Sequence, residues 1–328
     1  STTVSIVFEL LGAAVAMALI KIGASGGDFS EVVNYINTSK ASQIIFGILL
    51  SVVVAFSIGA LVQWVSRLLL SYNFQRKANW VGALFSGIAL TAITYFIFMK
   101  GLKGTSYAKQ SFDIIGGSTM KDFLENQVLT IVLISSVFWS LLSYGLIVFA
   151  KTNIYKLIII VGTFALALAF AGNDLVNFIG VPVAAYNAFL EWSASGLSAT
   201  EFPMDVLASK VPTNNWLLFG AGMVMVVTLW FSAKAKDVVK TSLDLSSQGE
   251  TKERFQPNTL SRGFVRIAMG ASKVSAFILP MSWQEKIEQQ FEQPVIKLTK
   301  NKVHELPAFD LVRAAVNLMV AAVLISIA

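Results

Sequence analysis

Apolar residues in this chain come in long runs separated by short polar loops. The runs cover residues 4–20, 42–70, 80–99, 128–150, 157–192, 216–231 and 309–328. About 20 apolar residues in a helix cross the hydrocarbon core of a bilayer, so the pattern predicts an all-α, polytopic membrane protein with about seven crossings. A short surface helix is expected around residues 30–36, and Gly116, Gly117 and Ser118 mark a turn. Between residues 263 and 279, Phe264, Ile267, Ala268, Ala271, Val274 and Ile278 recur at helical spacing, with Arg266 and Lys273 on another face. Such a helix either lies in the membrane surface or packs on the protein's own polar face.

Composition agrees with the pattern. Of 328 residues, 55% are hydrophobic and 13% charged, and the mean hydropathy is +0.68; a soluble domain carries about 25% charged residues. The formal charge of +6 does not point to nucleic acid, because the cations sit in loops beside apolar runs. The loops after the second, fourth and sixth runs carry Arg67, Arg76 and Lys77, then Lys151 and Lys156, then a cluster from Lys234 to Arg262. They are therefore expected to face the cytoplasm; the expected location is the cell (inner) membrane, multi-pass. Lys100, Lys103, Lys109 and Lys121, in the loop 100–127, run against that assignment. The chain has no cysteine, which excludes disulfides, thiolate metal sites and cysteine nucleophiles. The lone His304 sits in a charged loop and reads as solvated.

The run 157–192 is interrupted by Gly172, Asn173, Asp174 and Asn177, then by Gly180 and Pro182. An ionisable side chain inside a membrane-length segment is costly and marks a functional site by default. An unbroken helix of this length would overrun the bilayer, so a break is expected at Gly172, Gly180 and Pro182. Asn173 and Asn177 are four apart and share a helical face, with Asp174 about a quarter turn away. The amides can donate to an anion, whereas the carboxylate suits a cation or a protonated oxyanion. No Lys or Arg lies within a dozen residues, so an anion here would need a compensating cation or proton. The plainer alternative is that Asn173 and Asp174 only cap a half-helix. Ser1, Thr2 and Thr3 open the first run, where a helix N-terminus can be capped or can hold an anion.

At these residues the sequence resembles a known family. The segment Ala171-Gly172-Asn173-Asp174-Leu175-Val176-Asn177-Phe178-Ile179-Gly180 is similar to the Gly-Ala-Asn-Asp-Val-Ala-Asn-Ala-Phe-Gly signature of the PiT-type inorganic phosphate transporters, which occurs once in each of two inverted repeats. Ser1-Thr2-Thr3-Val4-Ser5-Ile6-Val7 resembles the family's Ser-Thr-Thr-His-Ser-Ile-Val segment, and Lys236-Asp237-Val238-Val239 with Arg262-Gly263-Phe264 resembles the second repeat more weakly. The Gly and Ala before Asn173 are exchanged, Val4 replaces the His, and Glu9 is not part of the pattern.

The resemblance implies an inverted-repeat symporter with discontinuous helices, in which Na+ or H+ couples inorganic phosphate uptake and the protein is a homodimer embedded in the lipid bilayer. Phosphate would be held by Asn173, Asp174, Asn177, Ser1, Thr2 and Thr3, and the cation by Asp174 and Asn173; neither a transition metal nor an organic cofactor is called for, and no enzyme activity. It further implies that the sequence is an internal portion, with its counterpart motifs before residue 1 and after residue 328. Residues 1–150 would then close the first repeat and connect it, 151–232 form the second-repeat core, 233–307 a cytoplasmic basic and amphipathic insertion, and 308–328 the start of a last hairpin. The rival reading is a permease for another oxyanion such as sulfate. Outside transport, an intramembrane aspartyl protease would need two carboxylates sharing a proton, and the other acids in membrane runs are Glu9, Glu191 at the end of the run 157–192, and Asp310, which has Arg313 one helical turn away at the entry of the last run; none sits in a comparable motif.

Overall fold

The computed structural model describes residues 2–72, 74, 77–102, 110–113, 116–198, 201–202, 214–245, 258–278, 280–292 and 310–327; the side chains at 2–3, 101–102, 121, 172–174, 176, 241–245, 260 and 271–278 are not among them. The described chain is helical, apart from one isolated bridge between Ser111 and Thr119. Its α-helices are α1 (Thr2–Ser25), α2 (Val32–Tyr35), α3 (Thr38–Leu70), α4 (Asn79–Phe96), α5 (Met120–Asn126), α6 (Val128–Val148), α7 (Ile154–Ser195), α8 (Asn215–Phe231), α9 (Ala233–Leu245), α10 (Thr259–Ile278), α11 (Met281–Phe291) and α12 (Leu311–Ile327). A 3-10 turn, Phe29–Glu31, precedes α2, and a π-helical segment, Ile97–Leu102, extends α4.

Among the described residues, five helices are long and apolar enough to cross a membrane: Val4–Ser25, Thr38–Leu70, Asn79–Lys100, Val128–Val148 and Ile154–Ala171. The sixth expected run, α8, has 17 residues and reaches that length only with the start of α9, from which it is bent by 67°. The seventh, α12, is a shorter apolar helix of 17 residues. The chain is thus a polytopic helical membrane protein, with five such spans among the described residues, or six if the bent pair counts as one.

The larger change concerns α7. Its backbone stays helical for 42 residues, through Gly172, Gly180 and Pro182. The expected break is absent, and the physical reason lies in relative costs. A helical Gly costs about 1 kcal/mol against Ala, and an interior Pro about 3 kcal/mol. Opening a helix in hydrocarbon strands several N–H and C=O groups at several kcal/mol each. Pro182 removes one helical hydrogen bond, to the Phe178 carbonyl, and crowds that carbonyl with its ring, a smaller cost than opening a whole turn. The contour of α7 is then about 63 Å at 1.5 Å per residue, roughly twice the hydrocarbon thickness.

The chain divides into two compact units, with boundaries inside α3 and α7: residues 1–54 with 167–236, and residues 55–166 with 237–328. In the first, α1 ends at Gly26 (φ 70°), Gly27 N–H closes onto Ile22 C=O at 3.0 Å, and Lys21 sits 5.2 Å above the Tyr35 ring of α2. Asp28 starts the next turn by accepting from Ser30 Oγ (2.9 Å) and Ser30 N (3.3 Å), hydrogen bonds that hold its carboxyl below the ordinary range. In the same unit, α7 stops at Gly196 (φ 66°), and Trp192 Nε1 donates to Leu197 O at 3.0 Å.

The second unit is built on α4. Gly82, Ser86 and Gly87 give it a stripe of small residues, and small residues let membrane helices approach closely. Against that stripe α6 runs antiparallel: Gly82 meets Ile147, Ser86 meets Ser143 and Gly87 meets Ser140. The buried Ser86 and Ser143 hydroxyls are 2.9 Å apart and satisfy each other. The first turns of α7 and the middle of α12 close the other side, where Gly162 faces Leu318 and Ile93.

One end of this unit gathers the end of α3 and the starts of α4, α7 and α12. Tyr155 packs edge-on against Phe74 (4.7 Å) and tilted against Phe85 (5.9 Å), and α11 docks there through Trp64–Phe291 stacking (6.3 Å) and a 2.8 Å hydrogen bond from Lys77 Nζ to Gln290 Oε1. The opposite end holds α5, where Leu124 C=O accepts from Tyr95 Oη at 3.4 Å. The up-and-down order expected from the basic loops is therefore present within this unit: the connections bearing Arg67, Lys77, Lys151 and Lys156 share one end.

The close α4–α6 approach generates a prediction. A Cβ on Gly87 would stand 2.9 Å from Ser140 Cβ and 3.0 Å from the Ser136 carbonyl, and a backbone oxygen cannot swing away. Gly87→Ala should therefore cost about 1–3 kcal/mol, as overpacking does. Gly12→Ala, with nothing within 4 Å, serves as the control in thermal unfolding of the detergent-solubilised protein.

Candidate functional site

The residues singled out in the sequence fall on two helices of the first unit. Thr2 and Thr3 lie in the first turn of α1, whose leading N–H groups have no intrahelical partners. Ser1 lies outside the described residues, as do the side chains of Thr2, Thr3, Asn173 and Asp174. Asn173, Asp174 and Asn177 occupy consecutive turns of α7, and Asn177 is half-buried and engaged with a neighbour. Gly180 is half-buried and Pro182 exposed. Helical register puts Asn173 and Asn177 on one face and Asp174 about 100° round. Among the described residues no extended contact joins α1 to α7. With α7 continuous, its backbone N–H groups around residue 172 are used within the helix, so hydrogen-bond donors for an anion there must be side-chain amides.

A buried charge pair in the second unit escaped the sequence reading. Arg67 near the end of α3 and Asp310 at the start of α12 are each 4% exposed, and the guanidinium Nη2 donates to Asp310 Oδ2. Arg67 Nη1 also donates to Ser71 C=O at 3.3 Å, and the guanidinium lies 4.2 Å from the centre of the Tyr72 ring. Ser71 adopts a left-handed φ of 56°, with its N–H closing onto Arg67 C=O at 2.7 Å. Asp310 caps α12: its Oδ1 accepts from Arg313 N at 3.1 Å and its C=O from Ala314 N at 2.9 Å. Each charge sits at the helix end whose dipole favours it, the cation at a C-terminus and the anion at an N-terminus.

In the sequence, Arg67 reads as a flanking cation beside Arg76 and Lys77, and Asp310 as the partner of Arg313 one turn away. The available signal was Leu68-Leu69-Leu70, which places Arg67 inside its apolar run rather than beyond it.

Other polar features are local. An open cavity of about 310 Å³ is lined by Ser118, Asp122, Phe123, Asn126, Gln127 and Thr130. Its carboxylate, Asp122, accepts from the Thr119 hydroxyl at 2.7 Å, while Thr119 Oγ1 accepts from Asp122 N at 3.1 Å, which is the capping of α5. Gln63 Oε1, Thr91 Oγ1 and Tyr155 Oη are buried without a hydrogen-bond partner among the described residues.

No protein-family model, curated protein or solved structure matches this chain.

Removing one member of a buried ion pair strands the other, at about 3–5 kcal/mol. Arg67→Met should lower stability by that amount, whereas Arg67→Met combined with Asp310→Asn, which keeps an N-cap residue, should recover part of the loss. Equal losses in chemical denaturation of the two variants would show the charges to be uncoupled.

Proposed function

We propose that this protein is a cation-coupled symporter of inorganic phosphate, working by alternating access in the inner cell membrane. One observation carries the reading: α7 holds Asn173, Asp174 and Asn177 in an apolar membrane helix whose only Lys or Arg is Lys156. Amides donate to phosphate oxygens, and Asp174 holds a Na+ or H+ that offsets the charge an anion brings next to a carboxylate. Thr2 and Thr3, with Ser1, supply hydroxyls and first-turn N–H groups from a second helix, α1. On this reading α1 and α7 belong to different members of an inverted repeat, and rocking of one against the other exposes the site alternately. The working unit is a homodimer. The similarity of the Asn-Asp-x-x-Asn and Ser-Thr-Thr segments to those of PiT-type transporters supports the same substrate.

Sulfate, another tetrahedral oxyanion, would meet the same amides and hydroxyls, so it is the second substrate to test. In proteoliposomes with an imposed sodium or proton gradient, Asp174→Asn should reduce labelled phosphate uptake to background. Asn177→Ala should raise the KM about 10- to 100-fold, the loss of one hydrogen bond to a charged group. Uptake and cation affinity unchanged in Asp174→Asn would overturn the assignment of the cation. Wild-type uptake of labelled sulfate, with phosphate the weaker competitor, would reassign the substrate.

A further inference from the structure

Helix α10, Thr259–Ile278, carries three cations and no acid in 20 residues. At 100° per residue, Arg262, Arg266 and Lys273 fall within about 40° of one another. Leu260, Phe264, Ile267, Ala271, Val274 and Ile278 take the opposite side of the helix. Three cations on one face bar α10 from crossing the hydrocarbon. Packing on the rest of the protein would hide the apolar face, yet Phe264 and Ile267 are each 70% exposed, and α10 makes no extended contact with another element among the described residues.

The position of α10 follows from its neighbour. Leu279 and Pro280 join it to α11, and α11 is held against the end of α3 by Trp64–Phe291 stacking and the Lys77–Gln290 hydrogen bond. That end of the unit carries Arg67, Lys77, Lys151 and Lys156, and Trp64 and the 61% exposed Trp283 are of the type that settles at headgroup depth. The Phe291 and Gln290 contacts are made by the last turn of α11, so its 11 residues tether the C-terminus of α10 within about 16 Å of this basic end, at 1.5 Å per residue.

We propose that α10 is an interfacial helix that binds the anionic leaflet of the membrane in which the protein sits. Its apolar face enters the boundary between headgroups and acyl chains, and Arg262, Arg266 and Lys273 take lipid phosphates. The occupant is an anionic lipid surface because an apolar face is matched with one whose charges are all cationic, and because α11 tethers the helix near the basic end of the unit. What α10 binds does not depend on what the Asn173–Asn177 segment carries.

The absence of cysteine makes the test direct. Phe264→Cys on the apolar face and Met269→Cys near the cationic face each take one polarity-sensitive fluorophore, in the full chain reconstituted into lipid nanodiscs. With roughly a third phosphatidylglycerol in phosphatidylcholine, iodide should quench the label at 264 about three- to fivefold less than that at 269, each cation adding about fivefold to partitioning. The difference should collapse in phosphatidylcholine alone, in high salt, and in the variant Arg262→Gln, Arg266→Gln, Lys273→Gln; unchanged thermal unfolding shows that this variant is folded. Equal quenching at both positions in anionic discs would overturn the proposal. So would protection at 264 that is the same in neutral and anionic discs, which would mean that α10 packs on protein.

Discussion

The hydrocarbon interior offers no hydrogen-bond partner, and that constraint governs this structure. A backbone group in lipid is either paired within its own helix or stranded. This is why the chain folds as helices, and why α7 continues through two glycines and a proline that would end a helix in water. It also decides what α7 can offer a ligand. A broken helix would present backbone amides, whereas the continuous one leaves recognition to Asn173, Asp174 and Asn177 and to whatever a neighbouring helix brings.

Polar groups inside the second unit obey the same constraint. Ser86 and Ser143 face each other across α4 and α6, and Arg67 is enclosed by Asp310, Ser71 and Tyr72. The ion pair does more than neutralise two charges. It fixes the end of α3 beside the start of α12, residues 243 apart in sequence, so both helices meet the same side of the membrane. With Tyr155 and α11 at that end as well, the alternation of helix direction rests on contacts rather than on loop charge alone.

The apolar runs made most of the fold legible, because membrane helices are specified by length and hydropathy rather than by long-range detail. The starts of α6 at Val128 and of α8 at Asn215 fall within a residue of expectation, as does the Gly116-Gly117 turn. Two things were not legible. The continuity of α7 depends on a comparison between the modest cost of Gly and Pro and the larger cost of opened backbone, which composition does not display. The Arg67–Asp310 pair depends on tertiary proximity, and each partner had a nearer, local explanation. Of the candidate site, the motif and its helix were readable; no extended contact joins α1 to α7 among the described residues.

The lack of basic residues around Asp174 is the centre of the functional argument, since an anion can share that segment only with a compensating cation. Phosphate binding to the purified protein, measured by calorimetry in sodium and in choline at equal ionic strength and at two pH values, tests this most directly. The account predicts that affinity falls at least about tenfold, one pKa unit's worth of interaction, when sodium is replaced or, for proton coupling, when the pH is raised. Phosphate binding indifferent to both sodium and pH, or no phosphate binding at all, would contradict it.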